Sequence, residues 1–278
     1  MKTRILTAIV MAVVGIPILI FSDYIVFPIL LSLLALAAVF EMFRVLGFEK
    51  NYFLSAPAYL IATVLPILGY FFSSDHTYGF ILTASATLFA YLTYTFFVAV
   101  FAKGAIRFAD ISQLFAATVY VVMSFVSICV MRYMAAGIWN LIIMLVAAWG
   151  SDMSAYFTGM LFGRHKLIPE ISPKKTVEGA VGGVICATLL MLLYGFIVSR
   201  VTDLVPNYYV LAFCGFVLSA VSQVGDLVAS LIKREHEVKD YGKIFPGHGG
   251  VMDRFDSVLS VSTALLIIFI IYPPFVMN

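Results

Sequence analysis

Residues 207–231 read NYYVLAFCGFVLSAVSQVGDLVASL, a run in which Asp226 is the one charged side chain. As a helix it is long enough to cross the hydrocarbon core of a bilayer, which takes about 20 mostly apolar residues. The rest of the chain agrees. Its 278 residues are 63% hydrophobic and 12% charged, with a mean hydropathy of +1.05. Soluble domains carry about 45–50% apolar and about 25% charged residues. Too little polar surface exists here to cover a water-soluble fold. Disorder is excluded as well, because disordered segments lack apolar residues.

Runs of spanning length lie near 5–21, 24–43, 53–73, 79–101, 112–131, 138–162, 177–198, 207–231 and 251–272. The fold expected is an all-α polytopic membrane protein with about nine transmembrane helices. The first run follows Lys2 and Arg4 like a signal peptide, but Phe21-Ser22-Asp23 offers no small-x-small cleavage site, so it reads as a retained span. With nine spans, 15 of the 17 basic residues fall on the N-terminal side, and only Arg132 and Arg200 on the other. By the positive-inside rule the N-terminus and the long loops face the cytoplasm, and the C-terminus lies opposite. Cys129, Cys186 and Cys214 sit far apart in apolar runs, without metal or disulfide spacing. A net charge of +2 gives no reason to expect a nucleic-acid partner.

Residues 1–135 read as transmembrane scaffold, with almost no polar side chains beyond the span ends. Chemistry is expected in residues 136–278, with loops at 163–176 and 232–251. A carboxylate inside a span is costly and marks a functional site. Asp226 therefore stands out, and Ser222, Asp226 and Ser230 repeat every four residues on one helix face, leading to Lys233 and Arg234. Its alternative role is a polar packing contact between helices. Asp152, with Tyr156 four residues on, invites the same argument less strongly, since it lies near a span end.

The segment Ile171-Ser172-Pro173-Lys174-Lys175-Thr176-Val177-Glu178-Gly179 leads into the seventh span. Pro173 suits a first helical turn that Ser172 would cap. Free N–H groups and two lysines would then make an anion site. Ordinary flanking charge, with Lys174 and Glu178 as an i,i+4 pair, is the competing account. Gly159-x-x-x-Gly163 and Gly179-Ala180-Val181-Gly182-Gly183 read as close helix packing, and such stripes would suit a homodimer. Gly247-His248-Gly249-Gly250 is no P-loop, since no Lys-Ser/Thr follows.

The densest polar cluster runs from Ser230 to Asp256. Asp253 and Asp256 are i,i+3 at the start of the last span. Together with Asp226 they supply the hard oxygens that Mg²⁺ prefers when substrate phosphates complete its shell. Gly247, Gly249 and Gly250 would let backbone approach a ligand closely around His248.

Ser230-x-x-Lys233-Arg234, Lys239-Asp240 and Pro246-Gly247-His248-Gly249-Gly250-x-x-Asp253-Arg254-x-Asp256 together resemble the signature of the phosphatidate cytidylyltransferases, or CDP-diacylglycerol synthases. Ser151-Asp152 and Ser172-Pro173-Lys174-Lys175-Thr176-x-Glu178-Gly179 resemble the same family. The motifs cover residues 150–256, and the N-terminal half is similar only in being hydrophobic. The resemblance implies CTP + phosphatidate → CDP-diacylglycerol + pyrophosphate, dependent on Mg²⁺. On this reading Asp226, Asp253 and Asp256 hold one or two metal ions. Lys174, Lys175, Lys233, Arg234 and Arg254 hold phosphates, while Asp240 and His248 shape the nucleotide site. Ser172, Thr176, Glu178, Ser222, Lys239, Asp152 and Tyr156 complete the substrate-binding set. The expected setting is the bacterial inner membrane, with the site facing the cytoplasm and the diacyl tails in lipid. A transporter would more typically place paired broken helices in both halves. A CTP-dependent lipid kinase shares substrate and setting, and product analysis separates it.

Overall fold

In a bilayer every backbone N–H and C=O must find a partner inside the protein, which leaves helices as the economical solution for this composition. The computed structural model describes residue 13 and residues 15–72 and 77–277. Among the described residues, eight helices are long and apolar enough to cross a membrane. They are α1 (Val26–Leu46), α2 (Tyr52–Phe72), α3 (Thr77–Phe101), α4 (Phe108–Tyr133), the composite of α5 (Gly137–Leu145) and α6 (Ser151–Phe162), α7 (Val177–Val201), α8 (Tyr208–Glu235) and α9 (Met252–Ile271). They coincide with the last eight runs read from the sequence. The first, at 5–21 with Lys2 and Arg4, lies largely outside the described residues. The protein is thus all-α and polytopic, with two short antiparallel strand pairings besides among the described residues. In one, β1 (Lys166–Ile168) pairs antiparallel with β2 (Ser172–Thr176); in the other, β3 (Leu204–Pro206) pairs with β4 (Phe275–Met277).

The chain forms two compact units, Met1–Met134 with Val238–Arg254, and Ala135–Glu237 with Phe255–Asn278. The segment 238–254, however, folds with the N-terminal helices. In this first unit α1 packs on α2 and α4, and α2 on α3 and α4. Phe43, Leu54, Leu65, Leu114 and Phe125 are fully buried there. α1 stops at Gly47, whose φ of 81° lets Phe48 N–H reach back to the Phe43 carbonyl at 2.7 Å.

In the second unit α7 packs on α6 and α8. A Cβ on Gly179 would stand 2.7 Å from the Ala155 carbonyl and 3.0 Å from Gly159 Cα, and one on Gly215 would stand 2.6 Å from Thr188 Cα. The small-residue stripes are therefore consumed by helix contacts within the chain. Between α5 and α6 the spanning helix widens into a π-turn at Val146–Gly150. Such turns are rare and concentrate at functional sites.

The lead-in to α7 differs from the expectation that Ser172 caps a helix begun at Pro173. Ser172–Thr176 is extended and pairs with Lys166–Ile168, so the helix begins at Val177. Thr176 is its cap, its Oγ1 accepting from Gly179 N–H at 3.1 Å. Lys174 is thus off the helix, and the i,i+4 pair with Glu178 does not form.

Replacing Gly215 by Val forces side-chain atoms against the α7 backbone. An overpacking cost of about 1–3 kcal/mol is expected, read as a lowered melting temperature of the detergent-solubilised protein. An unchanged melting temperature would sink this account of α7–α8 packing.

Candidate functional site

The second unit gathers the polar side chains of α6, β2, α8 and α9 near the ends of their helices. Asp226, on the last part of α8, forms an ion pair with Lys175 of β2 at 2.5 Å. The Lys175 ammonium also donates to the Gln223 carbonyl at 3.5 Å. Asp152, in the first turn of α6, accepts from the Ser257 hydroxyl at 2.8 Å. Asp256, in α9, accepts from Ser257 N–H at 2.9 Å and interacts electrostatically with Asp226, Asp152 and Lys233. Three carboxylates and two ammonium groups thus share one neighbourhood.

A seam of small polar residues supports this cluster. Ser151 and Ser219 share a hydroxyl hydrogen bond of 2.6 Å, and both are fully buried. The Gln223 amide donates to the Ala180 carbonyl at 3.1 Å. Ser222, expected to contact substrate, is fully buried and donates to the Ala148 carbonyl at 3.5 Å, inside the π-turn. A Cβ on Gly225 would collide with the Ser260 hydroxyl, so α8 and α9 meet closely beside Asp226.

Other sequence-selected residues lie around this centre or have tasks of their own. Glu178 accepts from Arg164 N–H at 3.0 Å and from His165, whose Nδ1 stands 2.6 Å from Oε1. Val177 N–H donates to the His165 carbonyl at 3.0 Å, so two N–H groups of the α7 start are already satisfied. Ser172 and Lys174 sit on β2, with Lys174 exposed. Tyr156 is 68% exposed and meets Phe157 edge-on. α8 continues to Glu235, which puts Lys233 and Arg234 in its last turn, where the helix dipole favours cations.

The glycine-rich segment belongs to the first unit and has an internal logic. Asp253 is 7% exposed, and its Oδ2 accepts from Tyr241 N–H at 2.7 Å and Gly250 N–H at 2.9 Å. Gly249, at φ 87°, lies against that carboxylate, where a Cβ would come within 2.9 Å of Asp253 Cγ. The close approach read from the glycines is here to protein carboxylates. Phe245 N–H donates to the Gly249 carbonyl at 2.9 Å, closing the turn around His248. The His248 Nδ1 is buried without a hydrogen-bond partner among the described residues. Lys239, Asp240 and Arg254 are exposed on the same segment.

Sequence reading missed Glu41 and Ser257. Glu41 is the one charged residue in the run 24–43, and the cost of a carboxylate inside a span, the argument used for Asp226, would have found it. Nothing in the sequence points to Ser257, which is one hydroxyl among several in α9.

Among the described residues no three His, Cys, Asp or Glu side chains stand together closely enough to hold a metal ion unaided. Asp226 and Asp256 are nevertheless neighbouring hard-oxygen donors. Such a pair fits a Mg²⁺ that takes its remaining ligands from water and substrate phosphates.

A polytopic integral membrane protein with an acid and lysine cluster at its helix ends is the class these features define. The chain belongs to the cytidylyltransferase family, whose model matches residues 2–272. It is 36% identical over 272 residues to a phosphatidate cytidylyltransferase of Staphylococcus epidermidis, covering 97% of this chain and 99% of the relative. It is likewise 36% identical over 267 residues to the phosphatidate cytidylyltransferase of Bacillus subtilis, covering 94% of each.

Asp253→Ala would leave two buried N–H groups without their acceptor, at about 1–3 kcal/mol each. Faster amide exchange at Tyr241 and Gly250 is the expected outcome. Protection equal to wild type would remove the bracing role.

Proposed function

We propose that this protein transfers CMP from CTP to phosphatidate, giving CDP-diacylglycerol and pyrophosphate for phospholipid synthesis. The observation that carries the reading is the Asp152, Lys175, Asp226, Lys233 and Asp256 cluster in a chain of this family. A phosphate oxygen of the lipid attacks the α-phosphorus of CTP. The bond from that phosphorus to the bridging oxygen breaks, and pyrophosphate leaves with the electron pair. The lipid phosphate is already anionic near neutral pH and needs little activation. The barrier lies in bringing it against a polyanionic nucleotide, so charge neutralisation and in-line positioning dominate.

Asp226 and Asp256 are the assigned ligands of one or two Mg²⁺ ions. The metal would neutralise phosphate charge and orient the leaving group. Asp152, held by Ser257, borders them. Asp253, with Oδ2 engaged by two backbone N–H groups, is assigned to ordering the glycine-rich segment. Lys175 pairs with Asp226 in the resting chain and is the nearest cation to exchange that partner for a substrate phosphate. Lys174, Lys233, Arg234 and Arg254 hold the remaining phosphate charge, while Lys239, Asp240 and His248 shape the nucleotide site. The positive-inside asymmetry supports an inner-membrane protein of nine spans with this site on the cytoplasmic face, where CTP arrives from water. A homodimer would have to use surfaces other than the glycine stripes, which α6 and α7 already occupy.

Purified protein with phosphatidate, Mg²⁺ and CTP labelled at the α-phosphate is expected to yield labelled lipid, and none with EDTA. Label entering lipid from γ-labelled CTP instead would make the protein a kinase and overturn this reading. Asp226→Asn should reduce turnover by about 10²–10³-fold, the scale of losing one electrostatic transition-state contact, while the protein stays folded. Near-normal turnover in that variant would remove Asp226 from the metal site.

A further inference from the structure

The most buried carboxylate among the described residues of the first unit has no place in the mechanism above. Glu41 lies on α1, is 1% exposed, and its Oε2 accepts from Met252 N–H at 3.0 Å. Met252 is the first residue of α9. The carboxylate fills the space beside Gly242 and Gly250, where a Cβ on either glycine would collide with it. Three residues on, on the same face of α1, the Arg44 guanidinium donates to the Tyr241 carbonyl. Tyr241 is itself fully buried and donates its N–H to Asp253. One helix face therefore grips the segment 241–252 at both ends, by its first carbonyl and by its last N–H. A purely structural carboxylate inside a span is an expensive way to fill space. A carboxylate seated between two glycines and a helix start fixes the shape of the loop they bound.

We propose that Glu41, with Arg44, is a positioning residue for nucleotide binding: it holds the glycine-rich loop 241–252 in the conformation that receives CTP. The proposal rests on the cytidylyl-transfer reading above for the identity of the ligand. Without the carboxylate the loop opens, and CTP has to pay for closing it. The apparent affinity then falls by the fraction of molecules that remain closed. The lipid acceptor has no assigned contact with this loop, so its own affinity is unaffected.

The test uses the full-length protein in detergent, with trypsin cleavage after Lys239 and Lys243 as a readout of loop opening. Glu41→Ala is expected to cleave faster than wild type and to raise the KM for CTP about tenfold. The KM for phosphatidate should stay unchanged, and saturating CTP should restore protection. Glu41→Gln keeps an oxygen for Met252 N–H and is expected to return both readouts close to wild type. A Glu41→Ala protein that cleaves like wild type overturns the proposal. So does one that loses kcat alone with KM unchanged, since that is what partial unfolding gives. If wild-type protein transfers no cytidylyl group, the activity reading fails on its own account. The cleavage rates still decide whether Glu41 holds the loop.

Discussion

A charge inside a membrane-spanning helix must be met by donors, because no water is present to solvate it. In this chain that constraint shapes both units. Asp226 is met by the Lys175 ammonium, Asp152 by the Ser257 hydroxyl, and Glu41 by the N–H that starts a helix. Each of these carboxylates is matched to a different kind of donor. The difference sets what each can do. An ammonium on a flexible stem can swing to another anion, whereas a backbone N–H at a helix start is fixed in place. Carboxylates held by mobile partners suit a site that must receive phosphates. Carboxylates held by backbone suit a scaffold.

The same division runs through the glycines. Those of α6, α7 and α8 let helices close on one another, and a Cβ there would strike backbone at Gly179 and Gly215 and side chains at Gly182 and Gly225. Those at 242, 249 and 250 make room for carboxylates, Glu41 and Asp253. Small residues in the spans therefore serve helix contact, and small residues in the loop serve charge. Membrane packing supplies little hydrophobic drive between helices, so close approach and polar bonding carry specificity instead. The Ser151–Ser219 and Gln223–Ala180 bonds are that polar bonding in this chain.

The spans were legible because length and apolarity are one-dimensional properties, and the last eight runs reappear as helices within a few residues. Asp226 and Asp152 were legible through the cost of burial. The capping of α7 was not, since Ser172 and Thr176 are both good caps and only the pairing of β2 with β1 decides between them. Glu41 carried the same signal as Asp226 but sits in the half that looked purely apolar. The partition of Asp253 from Asp256 was out of reach. Their spacing puts them on one helix face, yet Tyr241 and Gly250 donate to one while Asp226 stands near the other.

A π-turn at Val146–Gly150 interrupts the span formed by α5 and α6. It accommodates one more residue than a regular helix would over the same rise. Everything after it is rotated by about 100° relative to an uninterrupted helix. Ser151 and Asp152 are the first residues downstream. Their hydroxyl and carboxylate reach Ser219 and Ser257 because of that added residue. Deleting one residue from the turn would swing the acid out of the cluster while leaving hydropathy and span length nearly untouched.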